Sequence, residues 1–201
     1  MKNETLGVLE AIKQKGVDVC LVSKYWNDKQ IMDFYNLGYR KFGENRVDIL
    51  EKRYKNLPKD IEWHFLGNIQ SRDLPKICKF SSLIQSFDRP DLLEKISNYQ
   101  GVNILIQINL FEDKNRNGIA LENLDNVIDK INHNQVTCKG FMIHPPQELT
   151  DDEKKLCFEK MSEVFLRHPN FSILSMGTSG DYELANNSGA TLNRLGRVLT
   201  N

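Results

Sequence analysis

Apolar positions along the chain recur with two alternating periods. Short runs of strand character fall at 18–23 (DVCLVS), 39–42 (YRKF), 61–65 (IEWHF), 82–86 (SLIQS), 102–108 (VNILIQI), 136–141 (VTCKGF), 171–174 (FSIL) and 191–195 (TLNRL). Between them lie segments of helical spacing at 27–37, 45–55, 70–79, 90–99, 121–132, 150–167 and 180–188. Ile31, Phe34, Tyr35 and Gly38 repeat every three to four residues behind the capping residues Asn27 and Asp28. Pro90 and Asp91 open the segment that carries Leu92, Leu93 and Ile96. Residues 4–15 read as a short amphipathic helix.

Strands that alternate with helices predict a parallel sheet. Eight such units predict an α/β fold of the single-domain (β/α)8 TIM-barrel type over residues 1–201, with 1–16 as an additional helix packing on the barrel. A doubly wound open sheet is the alternative. No linker, low-complexity run or shift in composition divides the chain. The most turn-rich stretch, HPPQELTDD at 144–152, reads as a long βα loop.

In a barrel, functional groups sit at the C-terminal ends of the strands and in the loops that follow. That rule gathers Lys24, the GEN of 43–45, HFLGNIQ (64–70), MIHPP (142–146), SMGTSGD (175–181) and RLGR (194–197) onto one rim. Lys24 ends a buried strand, where a cationic side chain is a poor structural choice. A desolvated neutral amine there would attack an aldehyde; a lysine that snorkels to water is the plainer reading. In LSMGTSGDYELA (174–185), Ser179 reads as a helix N-cap, and Gly180 leaves an exposed amide for an anion. An ordinary capped helix is the alternative, and Asp181 disfavours an anion unless its side chain turns away. In TLNRLGRVL (191–199), the amides of Gly196 and Arg197 would face the same anion, between the two loops that often hold phosphate in barrels. Strand alternation points Arg194 inward, where it needs a partner: a carboxylate or an aromatic ring nitrogen. An amine nucleophile beside a two-loop phosphate cradle suggests pyridoxal 5′-phosphate (PLP) as the cofactor.

Composition narrows the classes. Twenty-seven basic and twenty-seven acidic residues give zero formal net charge, so no global field draws the chain to nucleic acid or to a membrane surface. No apolar run approaches the roughly 18 residues of a membrane span. MKNETLGVLEAIKQKG lacks the continuous apolar core of a secretory signal. The four cysteines, Cys20, Cys78, Cys138 and Cys157, are scattered without a CxxC and read as buried or incidental thiols in a reducing cytoplasm.

Five motifs, in this order along nearly the whole chain, resemble the pyridoxal phosphate homeostasis proteins: LVSK (21–24), FGENRV (42–47), WHFLGNIQ (63–70), SMGTSGDYELA (175–185) and RLGR (194–197). That family resembles the barrel domain of alanine racemase without its second domain. The resemblance implies PLP held as a Schiff base on Lys24, with Asn45 near the cofactor. It implies Ser179, Gly180, Gly196 and Arg197 at the phosphate, and Arg194 near the pyridine nitrogen. An arginine there disfavours protonation of that nitrogen and weakens the electron sink. Met142 and Met176 would line the ring pocket, or pack in the core. His64, between Trp63 and Phe65, reads as a hydrogen-bonded support of the rim rather than a catalytic group. His144 departs from the small or hydroxyl residue usual before the proline, and QSRDL departs from the usual continuation, with Arg72 in place of the basic residue.

A racemase needs a second acid/base on the opposite face of the substrate carbon. No tyrosine or cysteine is evidently placed for it; Tyr25 and Tyr182 read as rim packing. The expectation is a non-catalytic PLP protein that buffers or delivers the cofactor and so tunes amino- and keto-acid metabolism. A PLP-dependent racemase of the alanine racemase type is the alternative, as is a phosphate-sugar barrel enzyme using Lys24 without a cofactor. The expected partners are PLP and apo forms of PLP-dependent enzymes, with no nucleic acid or membrane, and the default state is a monomer.

Overall fold

The computed structural model describes residues 3–111 and 116–200. Residues 1 and 2 of the expected N-terminal segment, and residue 201 of the expected domain, lie outside the described residues. The strands are β1 (Asp18–Val22), β2 (Lys41–Glu44), β3 (Glu62–Phe65), β4 (Leu83–Phe87), β5 (Asn103–Asn109), β6 (Ile119–Ala120), β7 (Cys138–Ile143), β8 (Ile173–Ser175) and β9 (Leu192–Leu195). The helices are α1 (Asn3–Gln14), α2 (Asp28–Asn36), α3 (Val47–Asn56), α4 (Leu74–Phe80), α5 (Leu93–Ile96), α6 (Leu124–His133), α7 (Asp151–Leu166) and α8 (Tyr182–Asn187).

Eight strands close a ring in the order β1-β2-β3-β4-β5-β7-β8-β9, and β9 returns to β1 through the pairs Asp18↔Leu192 to Leu21↔Leu195. All pairings are parallel. The ring is the expected (β/α)8 barrel, and the open doubly wound sheet is excluded. Among the described residues, the one addition is β6, two residues that pair with the far end of β5 at Ile108↔Ile119 and Asn109↔Ala120.

Local chemistry sets the element ends. The capping box of Asn27 with Gln30 starts α2, and that of Thr150 with Glu153 starts α7. The second strand begins two residues later than the pattern suggests. Gly38 (φ 95°) ends α2 and the Tyr39 amide turns back to the Phe34 carbonyl, so Tyr39 and Arg40 are spent on the turn. The expected helix at 70–79 starts only at Leu74, because 71–73 form a turn and Pro75 sits in the first helical turn.

Apolar residues from both faces of the ring are buried. The main core lies where the helices cover the strands; Ile31 and Phe34 of α2 and Leu50 of α3 meet Phe42 and Trp63 there. Leu9 and Ile12, each 1% exposed, fix α1 to the same core. A small second cluster, Leu83, Leu105 and Met142, is built from strand residues alone. Buried polar side chains accompany it: His64, Gln85, Ser175 and Arg194. These parallel strands therefore carry polar groups that an all-apolar barrel interior would not tolerate without partners.

Candidate functional site

A cavity of about 270 Å³ opens at the C-terminal ends of the strands. Its wall includes Lys24, Asn45, Met142, Ser179, Arg194 and Gly196, and also Arg197. Seven of the nine residues expected at a site are thus brought to one cavity. Met176 is not among its lining residues; it is fully buried in the main core, where its amide bonds the Leu192 carbonyl. Gly180 is exposed on the loop outside the wall.

Lys24 is the second residue beyond β1. It is exposed at the cavity mouth, with Nζ 4.8 Å from the centroid of the Tyr25 ring, so the expected desolvation is absent. The backbone beneath it is firmly held. Ser23 donates its amide to Gly43 O (3.0 Å), and Trp26 donates its amide to Ser23 O (2.8 Å). From α3, Arg53 reaches across and donates to Ser23 O (3.0 Å), to the Trp26 carbonyl and to the Glu44 carboxylate. Ser23 Oγ also donates to Glu44. Glu44 and Arg53 are 1% and 6% exposed. Burial raises the Glu44 carboxyl above its ordinary value, opposed by the Ser23 hydrogen bond and by Arg53. Asn45 follows Glu44 at the rim. Its carbonyl would lie 2.1 Å from a Cβ on Gly67, so the crossing of these loops requires glycine.

Arg194 is the buried cation of the cavity wall, 7% exposed. It donates from Nη1 to Ser175 O (2.9 Å) and Ser175 Oγ (2.7 Å), and from Nη2 to Ile143 O (2.9 Å). It makes no salt bridge among the described residues, which removes the buried-ion-pair reading left open by the sequence. Burial lowers its pKa to about 10, so it remains charged at neutral pH.

The two loops beside it are tied by Ser179. Its hydroxyl accepts the amides of Gly196 (3.3 Å) and Val198 (3.2 Å). Asp181, not Ser179, is the N-cap of α8. Its carboxylate turns back to the Thr178 amide (2.6 Å) and hydroxyl (2.9 Å), which settles where that negative charge goes. The Gly196 amide is therefore committed to Ser179, while the amides of Ser179, Gly180 and Arg197 have no acceptor among the described residues. Gly177 (φ 89°) makes the exit from β8; a Cβ there would meet Ala185 at 2.7 Å and Asn193 at 2.8 Å.

Lys24, Arg194 and Arg197 make the wall positive, and no carboxylate or cysteine is among its described lining residues. Burial raises Cys20 to about 12 and Cys78 and Cys138 to about 11, so none is a ready nucleophile. His144 lines the cavity, and its carbonyl accepts from Arg116 (2.9 Å). His64 is buried, 3% exposed, with Nδ1 hydrogen-bonded to Gln85 Nε2 at 2.8 Å. It is hydrogen-bonded as expected, but it lines a second cavity at the N-terminal ends of the strands and does not support the rim. Sequence reasoning passed over Ser175, Gln85, Glu44 and Arg53. The available signal was a polar residue within an apolar run, as in SLIQS and SIL followed by Ser175.

Fold and rim together define a parallel eight-stranded barrel with a basic pocket at the C-terminal strand ends. Within that class, the chain belongs to the alanine racemase N-terminal domain family, whose model matches residues 8–201, and within it to the pyridoxal phosphate homeostasis proteins. The pyridoxal phosphate homeostasis protein of Aquifex aeolicus is 33% identical over 181 residues, 84% of this chain and 79% of that one. The one from Helicobacter pylori is 32% identical over 195 residues, 91% of this chain and 86% of its own. Among solved structures, PipY of Synechococcus elongatus PCC7942 without PLP superposes with a TM-score of 0.89 at 29% identity, covering 98% of this chain and 99% of PipY. PipY with PLP bound gives 0.85 at 30% identity over the same shares.

Proposed function

We propose that this protein binds PLP in the rim cavity and serves in homeostasis of that cofactor, holding and releasing it rather than turning over a substrate. The observation that carries the reading is Arg194: a buried cation with no carboxylate partner among the described residues, in the wall of a cavity that also presents the Lys24 amine. Charge buried this deeply calls for an electron-rich partner. The residues present fit the group. The unpaired amides of Ser179 and Arg197 suit a phosphate, and Lys24 suits an aldehyde. Met142 offers an apolar wall to an aromatic ring, and Arg194 a donor to its nitrogen. Relatives named pyridoxal phosphate homeostasis proteins, and PipY with PLP bound, support the same reading.

PLP, when bound, supplies an aldehyde for covalent attachment and an electron-poor ring. What the chain contributes is position. The Arg53 clamp fixes the backbone on both sides of Lys24. Ser179 locks the loop after β8 to the loop after β9. Arg194 donates hydrogen bonds but does not deliver protons at neutral pH, because its pKa stays near 10. A ring nitrogen beside such a cation would be disfavoured from taking a proton, which would weaken the ring as an electron sink. One barrel domain suffices for this role, acting in the cytoplasm, with apo PLP-dependent enzymes as recipients and the monomer as the working unit.

The test is a PLP titration of the purified protein followed by visible absorption, with Lys24→Ala alongside, then borohydride reduction and peptide mass mapping. A reduced adduct on Lys24, absent from the variant, is expected. A wild-type protein that gains no visible band at saturating PLP would overturn the reading. Assays with purified amino acids address the holder role; racemisation or decarboxylation at rates of about 1–1,000 per second would sink it.

A further inference from the structure

Four side chains form one hydrogen-bonded line through the inside of the barrel. Arg194 Nη1 donates to Ser175 Oγ (2.7 Å), Ser175 Oγ donates to Gln85 Oε1 (2.7 Å), and Gln85 Nε2 meets His64 Nδ1 (2.8 Å). All four are buried: Ser175 and Gln85 are at 0% exposure, His64 at 3% and Arg194 at 7%. One end, Arg194, is in the wall of the rim cavity. The other, His64, lines a different cavity of about 310 Å³ at the N-terminal ends of the strands, beside Asp18, Lys41 and Glu62.

The line has a single polarity. Arginine only donates, so Ser175 Oγ accepts from it and sends its own proton onward. Gln85 must then turn its oxygen to Ser175 and its amide hydrogens to the histidine. Nδ1 of His64 must accept, which leaves the ring neutral with its proton on Nε2. Every link is dictated by the one before it, and the two middle groups, Ser175 and Gln85, are buried too deeply for water to replace a missing partner.

We propose that His64, Gln85 and Ser175 are positioning residues for Arg194. As an acceptor at the far end, His64 fixes the Gln85 amide, the Gln85 oxygen fixes the Ser175 hydroxyl, and that hydroxyl fixes the guanidinium at the cofactor ring. This deepens the PLP reading and rests on it. Arg194 contacts the ring; the other three act through it. Two consequences follow for substitutions. An acceptor at the position of Nδ1 keeps the line intact, and its removal frees the Gln85 amide to flip and the arginine to tilt.

The experiment compares wild type, His64→Asn, His64→Leu and Gln85→Leu by PLP titration and by the position of the bound-PLP absorption band. Far-UV circular dichroism and thermal melts select folded protein. The side-chain oxygen that His64→Asn introduces takes the place of Nδ1, so this variant retains the wild-type band and affinity. His64→Leu and Gln85→Leu displace the band and weaken PLP binding about tenfold, the effect of one misaligned hydrogen bond to a charged group. If the leucine variants match wild type in band and affinity, the proposal is wrong. If His64→Asn and His64→Leu shift the band equally, His64 acts by packing alone and the proposal is equally wrong. A wild-type protein that gains no band defeats the PLP reading itself, a result that the variant comparison cannot mimic.

Discussion

Replacing Arg53 by methionine should do more damage than any other single change near Lys24. The guanidinium is 6% exposed and bonds Ser23 O, the Trp26 carbonyl and the Glu44 carboxylate, which is itself 1% exposed. Arg53→Met therefore strands a buried carboxylate and releases two backbone carbonyls. Removal of one partner from a buried ion pair costs about 3–5 kcal/mol. For a domain of this size, about 1 kcal/mol moves Tm by roughly 2–4 °C, so the expected fall is about 6–20 °C. Glu44→Gln on its own leaves the arginine its second ion pair, to the half-exposed Asp28 carboxylate 3.5 Å from Nε, and should cost less than Arg53→Met. The double variant, with neither charge buried, should recover most of the loss, a coupling of about 2 kcal/mol or more. The pH dependence has a definite sign. Burial already raises the Glu44 carboxyl above 4.5, and losing Arg53 raises it further. A group with a raised folded-state pKa stabilises below its unfolded value and loses that stability as pH rises. The Arg53→Met penalty should therefore shrink on acidification toward 4.5 and be largest at neutral pH and above. Thermal melts across pH, with PLP titration of each variant, measure this. A strictly additive double variant, or a single variant within about 0.5 kcal/mol of wild type, would refute the clamp.

Other consequences are simpler to check. Gly67→Ala should destabilise by about 1–3 kcal/mol in denaturant unfolding, since its Cβ would stand 2.1 Å from the Asn45 carbonyl oxygen. Ser179→Ala removes the acceptor of two amides and should weaken PLP binding about tenfold, while the far-UV spectrum is retained. The His64 ring, lowered to about 3 first by burial and then by Lys41, should show no NMR titration at neutral pH. Its depressed pKa means that the unfolded chain binds the extra proton, so stability should fall as pH drops from 6.5 toward 3, and less steeply in His64→Asn. Cys20, pushed up to about 12, should react with a disulfide reagent only on unfolding.

The strands were legible because each is a short apolar run between turn signals, and the closure of eight into a ring follows from their alternation with helices. The rim was legible for the same reason: Lys24, Asn45, Ser179 and Arg194 all follow or end strands. What stayed hidden depends on closure itself. His64, Gln85 and Ser175 come from β3, β4 and β8, and only the ring brings β8 opposite the other two. Arg53 stands on the same face of α3 as buried Leu50, and nothing in the helical spacing shows that its guanidinium reaches under the β1–α2 turn. The sequence suggests a desolvated Lys24, but the ladder ends at Val22 and leaves it in water. It also offers Met176 to the pocket, but Gly177 turns the chain only after it, which keeps its side chain in the core.

The closing seam between β1 and β9 joins Asp18 to Leu192. During synthesis, β1 leaves the ribosome with one edge unpaired, and that edge must wait for more than one hundred and seventy further residues, the interval between those two positions, before its partner exists. At about 5–20 residues per second, the open crescent persists for roughly 9–35 s, with two bare strand edges exposed to neighbours. Ser179, in the loop after β8, and Arg194, in β9 itself, follow the first seven strands of the ring along the chain, so the wall of the rim cavity is incomplete until the ring can shut.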